Sequence, residues 1–170
     1  MLNFKQRLTK ITTIMFDIDG VMTDGKVLVL ESGEMVRNIN SKDGYGINQA
    51  VVKGYRVAVI SGGNNVAIKN ALSRNGVTDV FIREHDKMAR YEAYREMHNL
   101  KDENILFMGD DLPDYEIMKR AGVAACPNDA VADIKAISQY VSPYKGGEGC
   151  VRDVIEQVLK SQQKWEILKW

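Results

Sequence analysis

Six short apolar runs recur along the chain: ITTIMF from Ile11, YRVAVI from Tyr55, DVFI from Asp79, NILFM from Asn104, GVAAC from Gly122 and the weaker QYVS from Gln139. Most are apolar at consecutive positions. A strand with one face in water alternates, whereas a strand covered by helices on both faces does not. Between the runs lie helical patterns at residues 64–75, 86–100 and 113–121 and from Cys150 to about Gln163, with Pro113 suited to a first helical turn. Strand and helix in alternation predict an α/β fold: a doubly wound, Rossmann-like parallel sheet.

The stretch KVLVLESGEMVRNIN, Lys26 to Asn40, breaks the alternation. It reads as two strands joined at Glu31-Ser32-Gly33-Glu34, where glycine can take the positive φ that a tight turn needs. A β-hairpin flap over about 26–40 is expected, ahead of a further helix. No repeat, low-complexity tract or linker divides the 170 residues, so a single domain over 1–170 is expected. The 23 Lys and Arg balance 23 Asp and Glu, which excludes a global basic field for nucleic acid or an anionic membrane. Cys126 and Cys150 lack a Cys-x-x-Cys spacing, which argues against a disulfide scaffold or a structural zinc site. The opening MLNFKQRLTK has no apolar signal core, and no run approaches a membrane span. A soluble, cytoplasmic protein is the expectation.

In open α/β sheets ligands bind beyond the carboxyl ends of the strands. There this chain carries Asp17 and Asp19, then Ser61-Gly62-Gly63-Asn64, then Lys87 at the start of a helix, then Gly109-Asp110-Asp111. The Asp-Ile-Asp spacing turns two carboxylates to one side of an extended chain. Clustered carboxylates repel one another unless a hard cation sits among them, and Mg²⁺ prefers oxygen ligands. Asp17, Asp110 and the backbone carbonyl of Asp19 are the candidate ligands. Ser61, Gly62 and the N–H groups of the next helix start suit phosphate oxygens, and Lys87 adds a full positive charge. Singly, each feature has an ordinary explanation: a solvated turn, a loop, a surface lysine, or Asp111 as a helix cap. Their order and their common position at strand ends favour a phosphate site. Asp114 is placed behind them, orienting Asp111 or the metal shell, and Asp24 is read as a loop residue.

The motifs DIDG, SG, Lys87 and GDDLPD resemble those of haloacid dehalogenase superfamily phosphatases. The resemblance implies that Asp17 is the nucleophile, Asp19 the general acid and base, Ser61 and Lys87 the phosphate holders and Asp110 a Mg²⁺ ligand. The longer stretches DIDGVMTDG, SKDGYGI, GDDLPD and GGEGCVRD are similar to the 3-deoxy-D-manno-octulosonate 8-phosphate (Kdo 8-phosphate) phosphatases. That similarity implies Kdo release for lipopolysaccharide synthesis by a homotetramer, with the hairpin mediating assembly and Gly146 to Gly149 approaching a neighbour's site. Only 41 residues separate Asp19 from Ser61 and 22 separate Lys87 from Asp110, too few for a cap domain, so a neighbouring subunit is the expected lid.

The matching substrate segment is Asn40-Ser41-Lys42-Asp43-Gly44, with Asn48 and Gly63. Relatives often carry Arg at the positions of Lys42, Asn48, Gly63 and Ala71. These departures keep the phosphatase chemistry and leave two other substrate readings: a nine-carbon 2-keto-3-deoxy sugar acid 9-phosphate, or sugar phosphates less selectively. A non-catalytic module is the reading from another class, and intact Asp17 and Asp19 weigh against it. His85 and His98 are expected to be surface or structural, the two cysteines to be packing residues, and Trp165 and Trp170 either to pack on the body or a neighbour or to belong to a frayed tail.

Overall fold

The computed structural model describes residues 3–167. Trp170 therefore lies outside the described residues. In chain order the elements are α1 (Phe4–Leu8), β1 (Thr13–Phe16), β2 (Leu28–Val29), β3 (Met35–Val36), α2 (Ser41–Val52), β4 (Arg56–Ile60), α3 (Val66–Arg74) and β5 (Asp79–Phe81). After these come α4 (Lys87–Met97), β6 (Ile105–Met108), α5 (Tyr115–Arg120), β7 (Val123–Cys126), α6 (Ala132–Ile137), β8 (Tyr140–Val141) and α7 (Cys150–Ser161).

All six apolar runs become strands of one sheet in the order β5-β4-β1-β6-β7-β8, and every pairing in it is parallel. The strand residues divide by parity. Ile14, Phe16, Val57, Val59, Leu106 and Met108 pack on one face with side chains from α2, α3 and α7. Met15, Ala58, Ile60, Ile105 and Phe107 pack on the other with Tyr91 and Tyr94 of α4, Ile117 of α5 and Ile134 of α6. Two covered faces explain why the runs do not alternate. Each large apolar side chain buried this way contributes about 1.5–3 kcal/mol.

Helix limits differ from the sequence reading where local geometry intervenes. Helix α3 starts at Val66 rather than Asn64, leaving 61–65 as an open loop. Helix α4 ends before Leu100, since Asn99 takes φ +50°. Pro113 sits in a 3-10 turn, Leu112–Asp114, that precedes α5. The short helices α1 and α6 carry no strong periodicity and lie outside the sequence expectation.

The hairpin forms as a separate two-stranded antiparallel ladder, Leu28 opposite Val36 and Val29 opposite Met35. Gly33 has φ +82° in its turn, where the Leu30 carbonyl accepts the Gly33 N–H. Large apolar side chains, among them Leu28, Val29 and Met35, remain exposed on it.

Helices α2 and α7 pack closely because Gly46 has no side chain: a Cβ there would lie 2.8 Å from Arg152 Cδ and 3.2 Å from its Cα. Asp43 of α2 accepts the Arg152 N–H at 2.7 Å, and the Asn40 amide donates to the Gly147 carbonyl at 3.2 Å. Gly146 and Gly147 are thereby laid against the chain's own 20–24 loop, with the Gly147 N–H donated to the Val21 carbonyl at 3.0 Å. A Cβ at Gly146 would come within 2.0 Å of the Gly20 carbonyl oxygen.

Candidate active site

Strand β1 pairs with β4 on one side and β6 on the other, so the order of connection reverses at β1 and a crevice opens beyond its carboxyl end. Asp17 follows β1, Ser61 follows β4, and Gly109-Asp110 follow β6. Lys87 opens α4 after β5. Parallel strands deliver all of them to one edge, where a cleft of about 740 Å³ is lined by Asp17, Asp19, Ser61, Gly62, Lys87 and Asp110, among others. Its lining includes eight carboxylate residues and one lysine.

At its floor Lys87 Nζ lies 3.0 Å from Asp17 Oδ2 and 2.8 Å from Asp114 Oδ1. Asp17, Lys87 and Asp114 are all buried. The 3-10 turn carries Asp114 back beneath the strand end, where its Oδ2 accepts the Asp110 N–H at 3.2 Å. Gly109 permits this approach, since a Cβ there would lie 2.5 Å from the Asp114 carboxyl. Carboxylate oxygens of Asp17, Asp110 and Asp114 lie within 4.8 Å of one another. The sequence alone sets Asp114 behind the site; the structure brings its carboxylate into the cluster. Asp111 is exposed and caps the turn, its Oδ1 accepting the Leu112 N–H at 2.8 Å.

Three acids share one ammonium here. Burial, reinforced by Asp114, pushes the Asp17 carboxyl up to about 7 against the pull of Lys87. Burial and the neighbouring Asp17 push Asp110 up to about 8. Burial raises Asp114 as well, opposed by Lys87. For Lys87, burial works against the charge, but Asp17 and Asp114 outweigh it and hold the ammonium above its ordinary range. Asp17 Oδ1 and Asp110 Oδ1 are buried and find no hydrogen-bond partner among the described residues. Clustered oxygens, excess negative charge and unpaired buried acceptors together fit a hard divalent cation.

Asp19 lines the same cleft but turns toward the hairpin. Arg37 Nε donates to its Oδ1 at 2.6 Å, and Asn65 Nδ2 donates to Oδ2 at 3.3 Å. Ser61 is buried and its Oγ accepts the Gly63 N–H at 3.2 Å. Gly63 lines the cleft as well, and so does His85, at its rim. Asp24 lies in the loop and accepts the Lys26 N–H.

The remaining substrate candidates are not brought into this cleft. Asn40, Ser41, Asp43 and Gly44 line a second cavity of about 230 Å³ between α2 and α3, where Ala71 also lies. Lys42 lies beside Arg152, whose guanidinium sits over the rings of Tyr45 and Trp165 at 4.6 and 4.5 Å. Asn48 is half-buried on α2. Sequence reasoning misses Arg37; its cue is a cation one residue past an otherwise apolar strand.

The profile of the haloacid dehalogenase-like hydrolases matches residues 63–155. The Yersinia pestis 3-deoxy-D-manno-octulosonate 8-phosphate phosphatase KdsC is 31% identical over 161 residues, 95% of this chain and 86% of that protein. The crystal structure of the phosphatase of that name from Y. pestis superposes with a TM-score of 0.92, covering 94% of this chain and 86% of that one at 31% identity. The fold is also shared with the Moraxella catarrhalis enzyme of that name, solved with magnesium ion, phosphate ion and KDO: TM-score 0.91, 24% identity, 94% of this chain and 91% of that one. Profile, near full-length likeness and sheet order agree: the chain belongs to the haloacid dehalogenase-like hydrolase family.

Proposed function

We propose that the chain is a magnesium-dependent phosphatase that hydrolyses 3-deoxy-D-manno-octulosonate 8-phosphate to Kdo and phosphate, supplying lipopolysaccharide synthesis in the cytoplasm. The observation that carries this reading is the buried cluster of Asp17, Asp110 and Asp114 around Lys87 at the end of β1. The likeness to the Y. pestis enzyme along nearly the whole chain supports the substrate.

Lys87 holds the Asp17 carboxylate through Oδ2, and that carboxylate is the nucleophile that attacks phosphorus. Attack forms an aspartyl phosphate and breaks the bond from phosphorus to the sugar oxygen; Asp19 gives that oxygen its proton. Asp19 then takes a proton from water, the water oxygen displaces the Asp17 carboxylate from phosphorus, and inorganic phosphate leaves. Ser61 Oγ, the Gly62 N–H and Lys87 hold the phosphate oxygens. Asp17, Asp110 and the Asp19 carbonyl would hold Mg²⁺, with Asp114 completing the anionic floor. Bound there, the ion neutralises charge on the transferring phosphoryl group and keeps the carboxylates ionised.

In this proposal residues 1–170 form one catalytic domain, with residues 26–40 as its flap. The exposed apolar side chains of that flap support assembly as a homotetramer in which a neighbour shelters the open cleft. Phosphate release measured over Kdo 8-phosphate, a nine-carbon sugar acid 9-phosphate and hexose phosphates, with and without Mg²⁺, tests the substrate. Preference for Kdo 8-phosphate is expected, and equal turnover of all would defeat that assignment while sparing the phosphatase. Asp17→Asn should abolish turnover in a folded protein; magnesium-dependent release by that variant would remove Asp17 as the nucleophile.

A further inference from the structure

The hairpin reaches the cleft through Arg37. Its Nε–H meets Asp19 Oδ1 at 2.6 Å and its Nη2–H meets Oδ2 at 3.4 Å. The Arg37 side chain is only 12% exposed, although the strand before it is open to solvent. Asn65 donates to the same Oδ2, so the Asp19 carboxylate is gripped from the hairpin and from the loop after β4. A planar guanidinium approaching both oxygens fixes the plane of a carboxylate as well as its position, which a point charge does not.

The loop after β4 approaches Asp19 closely at Gly63. A Cβ at Gly63 would lie 2.9 Å from Asp19 Oδ2 and 2.8 Å from Asn65 Nδ2. A side chain at 63 would push on Asp19 Oδ2 and Asn65 Nδ2, and the cation that meets Asp19 comes from the hairpin.

We propose that Arg37 is a positioning residue: its 2.6 Å contact holds Asp19 Oδ1 as the acceptor and leaves Oδ2, met only at 3.4 Å, as the oxygen that carries the proton to the leaving group, which ties leaving-group departure to the placement of the hairpin. This rests on the assignment of Asp19 as the proton donor. An alkyl phosphate expels a poor leaving group and needs that proton, whereas p-nitrophenyl phosphate expels a stable phenolate and needs it little. The quantity kcat/KM covers the steps up to that departure, so the two substrates separate orientation of the acid from general damage.

The test compares the wild-type chain with Arg37→Gln, Arg37→Lys and Asp19→Asn, each with Mg²⁺, on p-nitrophenyl phosphate and on the sugar phosphate turned over best. Arg37→Gln should lower kcat/KM for the sugar phosphate about 10- to 100-fold through kcat, and for the aryl ester by less than about threefold. Arg37→Lys, which keeps charge without the fork, should recover only part of the loss. Equal losses on both substrates, or a loss confined to KM, would overturn the proposal. Absence of any leaving-group dependence in Asp19→Asn would instead remove the assignment of Asp19 beneath it. A leaving-group dependence in Asp19→Asn that Arg37→Gln lacks would leave Asp19 standing and refute Arg37 alone.

Discussion

Gly20 is the position where a single methyl group should separate the site from the fold. Its φ is +87°, and a Cβ there would lie 2.0 Å from Asp110 Oδ2 and 2.4 Å from its Cγ. Restoring ordinary van der Waals contact would require the Asp110 carboxylate to retreat by more than about 1 Å. Displacement of that size at a reacting centre lowers rates by about 100-fold. The left-handed backbone adds about 1–2 kcal/mol of strain in Ala, partly offset by the stiffer unfolded chain. A net loss near 1 kcal/mol corresponds to about 2–4 °C in Tm for a chain of this size.

Gly54 supplies the control, with φ +83° and nothing within 4 Å of the place a methyl group would take. Gly54→Ala should therefore lose a similar few degrees and keep its turnover. Gly20→Ala should lose at least about 100-fold in kcat/KM and bind Mg²⁺ more weakly by titration calorimetry. Full activity in Gly20→Ala, or equal inactivation of both variants, would refute the steric link between this loop and Asp110.

Magnesium should stabilise the protein in a pH-dependent way. Without a cation, Asp17 and Asp110 titrate at about 7 and about 8 when folded, against an ordinary value of 3.8. The folded chain thus keeps protons that the unfolded chain has shed, and its stability falls as pH rises through that window. Cation binding replaces those protons, so the Tm gain from saturating Mg²⁺ should be larger at about pH 8 than at about pH 5.5, by at least about 4 °C. A gain independent of pH in thermal melts would contradict the buried-carboxylate account. On the hairpin, Leu28 and Met35 are 63% and 60% exposed. Leu28→Asp combined with Met35→Asp should reduce the solution mass by sedimentation, and an unchanged mass would reject the hairpin as the assembly surface.

The sheet and most of the cleft were legible in the sequence for one reason. Consecutive apolar residues imply strands covered on both faces, parallel strands end at one edge, and the polar residues after them must then meet. That logic reaches Asp17, Ser61, Lys87 and Asp110 without any long-range information. It does not reach Asp114, whose place depends on the 3-10 turn after Asp111 and on the missing Cβ of Gly109. Nor does it reach Arg37, which meets Asp19 only because the hairpin folds back, a contact 18 residues apart in sequence. The segment 40–44 stands apart from that logic. Its likeness to a substrate segment is plain, yet Asn40 caps α2 and Asp43 holds the first turn of α7. Helices α1 and α6 have five and six residues, too few to declare themselves by periodicity and dependent on packing for their stability.

The charge balance of the floor constrains how an anion can enter at all. Among the described residues Lys87 is the one lysine lining the cleft, and it already lies within 3.0 Å of Asp17 and 2.8 Å of Asp114. A phosphate dianion would arrive beside a lining rich in acidic residues, where the single ammonium is already engaged with Asp17 and Asp114. On the proposed function Asp17 must also be ionised to attack, although burial favours its protonated form. Both difficulties have the same remedy, because a divalent charge among Asp17, Asp110 and Asp114 would ionise the nucleophile and loosen the hold of the acids on Lys87. On the proposed function, a cation held by these three carboxylates would make the floor receptive to phosphate, so phosphate binding should depend on the cation.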